Sequence, residues 1–268
     1  MKAVEKLARA VEDNDSLLCV GLDTDIKKIP KFLLKKKDPV LAFNKKMVDA
    51  TGDLVCAYKL NMAFYEALGL PGIAALKKTA EYIPKNIVVI LDGKRGDIGN
   101  TAQKYAAAIF DYFGADATTL NPYMGKDAIL PFSEYKDKLS FILCLTSNPT
   151  TREFQFLKTN RKPLYLQVAD RVKRWNKNKN LGLVVGATYP GQIRVIRKAA
   201  DRMPFLIPGV GSQKGNLGAA VKYGSAGGTL ALINSSREII YASPSKDFAV
   251  QARLKAIQLY QNINSARN

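Results

Sequence analysis

Three charged residues in the segment VVILDGKRGDIGNT, Val88 to Thr101, have the types and spacing for acid–base chemistry: Asp92, Lys94 and Asp97. Side chains two apart on an extended strand share a face, so Asp92 and Lys94 can point together, with Asp97 following in the turn towards a helix. Lys59, in AYKLN, closes another apolar run and can join them as the fourth member of an array of alternating charge. Neighbouring carboxylates favour the protonated form of a lysine. An ammonium held in this way is a poor Schiff-base nucleophile and a well-placed proton donor. The same spacing also suits an ion-pair network that only orders a loop. The chain contains no histidine, which removes histidine-assisted serine and cysteine hydrolysis, histidine general bases and histidine metal sites. Any reaction falls to carboxylates, lysines, arginines, hydroxyls or backbone amides.

These residues need a scaffold that brings strand ends together. Short apolar, β-branched runs alternate with longer amphipathic ones along the chain. Strands are expected over 16–23, 55–61, 86–92, 117–121, 140–147, 181–187, 205–210 and 228–233, and helices over 39–50, 72–82, 100–113, 164–176, 191–200, 217–223 and 247–263. Repeated strand–helix units without a linker-like stretch point to the α/β class and to one domain over residues 1–268, a single closed (β/α)8 TIM barrel. Such barrels build their sites at the carboxyl ends of the strands. Asp23 in VGLD, Lys59 and Asn61, Asp92 and Lys94, Ser147 in CLTS, and Gly209 with Gly211 in IPGVG all lie at such ends. One polar strand end means little, because caps and turns prefer the same residues. Charged residues at several matching ends mark a barrel mouth.

With 268 residues, 47% of them hydrophobic, the chain can bury a sizeable core. No window approaches the ~18 apolar residues of a membrane span. The opening MKAVEKLARAVEDND lacks the apolar core of a signal peptide, so no membrane association and a cytoplasmic location are expected. Cys19, Cys56 and Cys144 each sit in an apolar run and read as buried thiols, with no zinc-type pairing. The net charge of +18 concentrates in KKIPKFLLKKK (27–37) and in residues 161–179. Neither stretch interleaves several aromatics, so solvated faces are the simpler reading than a nucleic-acid platform.

The run LDGKRGDIGNT resembles the D-x-K-x-x-D-I-x-N-T signature of orotidine 5'-phosphate decarboxylases. GLDTD, YKLNMAFYEALG, NPYMGKDAI, LTSNP, VVGATYP, PGVGSQKG and NSSREI fit the same family in the same order, over roughly residues 16 to 240. NPYMG, KLNMAFYE and VVGA are similar to a branch distinct from the enzyme common in many bacteria and yeast. The resemblance implies decarboxylation of orotidine 5'-phosphate to uridine 5'-phosphate (UMP) with release of CO2, the last step of de novo pyrimidine nucleotide synthesis, with no cofactor and no metal. It implies that Lys94 donates the proton to C6 within the Lys59, Asp92, Lys94 and Asp97 array. It further implies that Asp23 and Lys59 hold the ribose hydroxyls, Ser147 meets the pyrimidine, Gln213 and Arg237 grip the phosphate, and Asn61 lies near the substrate. Members are homodimers with shared sites, so Asp97 and Thr101 are expected to reach into a neighbouring subunit. Association with a separate orotate phosphoribosyltransferase stays open. No segment of that kind occurs here, so the two-domain fusion is not expected.

That reaction suits the residues present. Loss of CO2 from C6 leaves negative charge in the plane of the ring, and a fixed ammonium can stabilise it and then protonate the carbon. The phosphate is remote from the broken bond, so gripping it can drive closure of a loop. GSQKG, around Gln213, reads as such a loop or as a plain turn. Two alternatives compete. Magnesium-dependent phosphosugar decarboxylases or aldolases of the same barrel group share D-x-K-x-x-D, but the resemblance implies an acidic residue where this chain has Lys59, and a lysine repels a divalent cation. A basic nucleic-acid-binding protein would explain the charge and leave the strand-end carboxylates unexplained.

Overall fold

Aliphatic and small residues form the strands β1 (Leu18–Gly21), β2 (Ala57–Asn61), β3 (Val88–Arg95), β4 (Ala117–Leu120), β5 (Leu139–Leu145), β6 (Leu181–Val185), β7 (Phe205–Pro208) and β8 (Ala231–Ser235). The computed structural model describes residues 1–210 and 215–267. Nearly all strand residues are buried on both faces, as in a parallel sheet whose outside is covered by helices. Each strand pairs in parallel with its neighbours in sequence, and β8 closes on β1 with Leu18 opposite Ile233. The architecture is the closed (β/α)8 barrel.

The helices are α1 (Ala3–Asp13), α2 (Pro39–Thr51), α3 (Met62–Glu66), α4 (Gly69–Tyr82), α5 (Gly99–Ala107), α6 (Leu130–Ser133), α7 (Leu164–Trp175), α8 (Pro190–Ala200), α9 (Leu217–Gly224), α10 (Arg237–Ile240) and α11 (Phe248–Arg267). Local chemistry sets several starts. Asp38 accepts the Leu41 N–H at 3.1 Å, and Pro39 supplies a preset φ at the first position of α2. The helix expected over 100–113 ends earlier as α5 and continues as a π-helical turn over Ala108–Tyr112.

Four departures from expectation have local causes. Helix α1 was hidden by its charge, yet Ala3, Leu7, Ala10 and Val11 form a buried stripe at helical spacing. It packs at the amino ends of β4 and β5, where Lys6 meets Asp116 at 2.6 Å and Ala3 N donates to Asp137 O at 2.7 Å. The strand expected over 228–233 is shifted to Ala231–Ser235, because Gly227 and Gly228 take φ of 69° and 71° and turn the chain first. After β5 the chain makes a short hairpin, Lys158–Thr159 against Lys162–Pro163, about the left-handed Asn160 and Arg161; the basic stretch 161–179 is thereby divided between hairpin and α7. Finally, β3 runs on to Arg95 instead of ending at Asp92.

The three cysteines are free and buried, and burial pushes the Cys19 thiol up to about 12. Among the described residues no helix is long and apolar enough to cross a membrane.

Candidate active site

A cavity of about 510 Å³ opens at the carboxyl ends of the barrel strands. That size suits a small organic ligand. Lys59 and Asn61 reach it from β2, Asp92 and Lys94 from β3, and Thr119 from β4. Leu143, Val184 and Leu206 add an apolar wall, while Asp23, Ser147 and Arg237 enter from the loops after β1, β5 and β8.

The charged groups form one connected chain. Lys59 Nζ lies 3.1 Å from Asp92 Oδ2 and 3.5 Å from Asp23 Oδ1, and Lys94 Nζ lies 2.7 Å from Asp92 Oδ1. Burial alone would pull Lys59 down, but the Asp92 and Asp23 carboxylates outweigh it and hold the ammonium above its ordinary value. For Asp92 burial works upwards, and the two lysines overcome it, keeping the carboxyl well below the usual carboxylate range. Both side chains are almost fully buried, whereas Lys94 is 47% exposed. One end of the array is therefore buried and the other opens to solvent.

Backbone irregularity aims Lys94. Opposite β4, Leu91 pairs with Thr118 and Arg95 with Leu120, so residues 92–94 face Thr119 alone. Lys94 sits inside this bulge at φ 47°, an uncommon conformation for a residue with a side chain. The expectation that Asp92 and Lys94 meet is correct, but a bulge, not the two-residue repeat, brings them together. Thr119 holds the bend: its Oγ1 accepts from Lys94 N at 3.0 Å and donates to Asp92 Oδ1 at 2.7 Å.

The remaining expected residues divide. Asp23 lines the cavity, and among the described residues its buried Oδ1 has the Lys59 ion pair at 3.5 Å but no hydrogen bond. Ser147 reaches the wall because Gly186 leaves room; a Cβ there would come within 2.8 Å of Ser147 N. Arg237, exposed at the start of α10, and Asn61 also line the cavity. Asp97 and Thr101 do not: Asp97 Oδ1 accepts from the adjacent Ile98 N at 2.8 Å, and Thr101 is exposed in the first turns of α5. Within one chain the expected array of Lys59, Asp92, Lys94 and Asp97 is thus open at Asp97, and Asp23 supplies the second carboxylate on Lys59. Gln213 lies outside the described residues.

Sequence reasoning missed Thr119 and Asn234, both at the cavity. Adjacent threonines in ATTL signalled a polar strand end, but only the register shows that Thr119 turns to Asp92 while Thr118 donates to Leu91 O at 2.8 Å. Asn234 fell beyond the expected end of its strand.

A family model described as the orotidine 5'-phosphate decarboxylase / HUMPS family matches residues 16–252. The orotidine 5'-phosphate decarboxylase of Herpetosiphon aurantiacus is 51% identical over 252 residues, covering 93% of each chain. The solved Leishmania donovani OMP decarboxylase superposes with a TM-score of 0.88 at 38% identity, covering 100% of this chain and 99% of that one. The solved Leishmania donovani UMP synthase gives a TM-score of 0.89 at 39% identity over the whole of this chain, which spans 57% of that longer chain.

Proposed function

The chain belongs to the orotidine 5'-phosphate decarboxylase family, and on that premise we propose that its barrel mouth converts orotidine 5'-phosphate to UMP and CO2, with the 268 residues working as one domain. The observation that carries this reading is the linked series Asp23, Lys59, Asp92 and Lys94 at the cavity.

In the proposed reaction the bond from C6 to the carboxylate breaks, its electron pair stays on C6, and CO2 departs. The Lys94 ammonium stabilises that carbanionic charge and gives C6 a proton, which solvent then replaces. Partial exposure of Lys94 supports the replacement step. Asp92, between the two lysines, fixes both ammonium groups and stands beside the departing carboxylate. Lys59 and Asp23 hold the ribose hydroxyls, a role favoured by the long 3.5 Å contact between Lys59 and Asp23 Oδ1 at the cavity wall. Ser147 meets the pyrimidine, Arg237 and Gln213 bind the phosphate, and Asn61 borders the substrate.

The open side of the array favours a homodimer in which Asp97 and Thr101 complete the neighbouring subunit's site, an isologous arrangement that would complete both sites at once. We place the protein in the cytoplasm, where the exposed lysines of residues 27–37 offer a charged surface to a separate orotate phosphoribosyltransferase. The magnesium-dependent alternative is disfavoured by Lys59, whose ammonium already stands between the two carboxylates.

The test is the loss of orotidine 5'-phosphate absorbance after exhaustive chelation. Undiminished activity is expected. An inert chelated protein that magnesium or zinc restores would overturn the reading in favour of the phosphosugar enzymes.

A further inference from the structure

Residues 22–25 carry Asp23 yet belong to no strand or helix. Side chains fix them instead. On one side, Leu22 O accepts from Tyr65 Oη at 2.8 Å, and Thr24 Oγ1 donates to Asn44 Oδ1 at 2.6 Å. Asn44 Nδ2 in turn donates to Tyr65 Oη and to Thr79 Oγ1, each at 3.0 Å. All four of these polar side chains are buried, which makes the network costly to break.

On the other side Tyr241 holds the loop. Its hydroxyl accepts from Asp25 N at 2.6 Å and donates to Asp23 O at 3.0 Å, pinning the backbone immediately after the Asp23 side chain. Burial pushes this phenol up to about 12, so it keeps its proton and its donor role at neutral pH. The ring stacks on Phe43, with centroids 6.0 Å apart and planes at 24°. Tyr241 also ends α10, donating its N–H to Arg237 O at 3.1 Å. One turn of chain therefore separates the arginine at the cavity rim from the hydroxyl that clamps the Asp23 loop.

We propose that Tyr241 is a positioning residue that aims Asp23 at the ribose hydroxyls and couples that aim to the helix presenting Arg237. This rests on the reading of Asp23 as a ribose-binding carboxylate. Phenylalanine at 241 would keep the ring packing while leaving the Asp25 N–H and the Asp23 carbonyl without this partner. The loop would loosen on that side, and the carboxylate, still paired with Lys59, would be aimed less firmly.

The experiment compares binding of UMP and of 2',3'-dideoxyuridine 5'-phosphate, which lacks both ribose hydroxyls, by titration calorimetry. Hydrogen bonds to a charged acceptor should make the wild type prefer UMP by roughly tenfold or more. Tyr241→Phe should cut that preference by about threefold or more, while affinity for the dideoxy nucleotide stays within about twofold, since its phosphate and base contacts remain. A purely structural role would weaken both ligands alike. Arg197→Lys is the control: Arg197 is a buried guanidinium at the amino end of the barrel, bonded to the Gly224, Asp201 and Met203 carbonyls. It should lower the melting temperature and leave the preference unchanged. If Asp23→Asn abolishes the preference and Tyr241→Phe leaves it at the wild-type value, the role of Tyr241 is refuted and the ribose reading stands. A preference untouched by Asp23→Asn overturns both.

Discussion

Replacing Lys59 with methionine keeps the unbranched stem and removes the charge from the floor of the site. Lys59 Nζ is 3.1 Å from Asp92 and 3.5 Å from Asp23, with only 5% of the side chain exposed. At an effective dielectric constant of about 20, each pair is worth roughly 5 kcal/mol before the cost of burying the ammonium is subtracted. Lys94, 2.7 Å from the other Asp92 oxygen, leaves that carboxylate one counter-charge. The net loss of stability should then be about 3–5 kcal/mol, as when one member of a buried pair is removed. Its pH dependence follows from Asp92. In the wild type the lysines hold that carboxyl below its unfolded value, so its contribution is present above about pH 4 and is lost on further acidification. Without Lys59 the folded-state value rises, because burial is then opposed by Lys94 and the Thr119 hydroxyl alone of the groups that held it down. The variant therefore gains less than the wild type from ionising Asp92 on folding. Urea unfolding followed by circular dichroism should show a gap from wild type that is full near about pH 7 and narrows on acidification below about pH 4. Adding Asp92→Asn should recover part of it. A gap below about 1 kcal/mol at the upper pH, or one that does not vary with pH, would refute the claim that opposed charges hold this floor together.

Other outcomes concern turnover and assembly. Lys94→Ala should lower kcat by many orders of magnitude while UMP still binds, because phosphate and ribose contacts lie elsewhere; a variant retaining a tenth of wild-type activity would require another proton donor. Arg237→Ala should instead lose mainly UMP affinity, with part of the turnover, in parallel steady-state and calorimetric measurements. Mixing Lys94→Ala with Asp97→Ala under subunit exchange should restore up to roughly one-quarter of wild-type activity, since half the dimers are mixed and each has one intact site. No recovery, with exchange verified by native mass spectrometry, would mean that each barrel works with its own Asp97.

Much of the fold is legible in local sequence because a barrel strand is buried on both faces and must be written as a short aliphatic run, such as LCVG, VVIL or LGLVV. The polar residues that interrupt those runs mark the mouth, which is why Asp23, Lys59, Asn61, Asp92, Lys94 and Ser147 are legible at the strand ends, whereas Arg237 is legible only through the family resemblance. Helix α1 carries its signal in the spacing of Leu7, Ala10 and Val11, a narrow stripe in an otherwise charged segment. What only the tertiary structure decided is how the polar groups pair. Thr119 rather than Thr118 faces Asp92 because two residues bulge from β3 and set the local register. Asp23 rather than Asp97 shares Lys59 within a chain because the parallel pairing of β1 with β2, which sets Gly21 opposite Lys59, brings the loop after β1 to the end of β2. Tyr241 clamps Asp23 across 218 residues of sequence. Periodicity reports which side of an element is buried; it carries no information about the partner met there, because that depends on backbone register and closure between segments far apart in the chain.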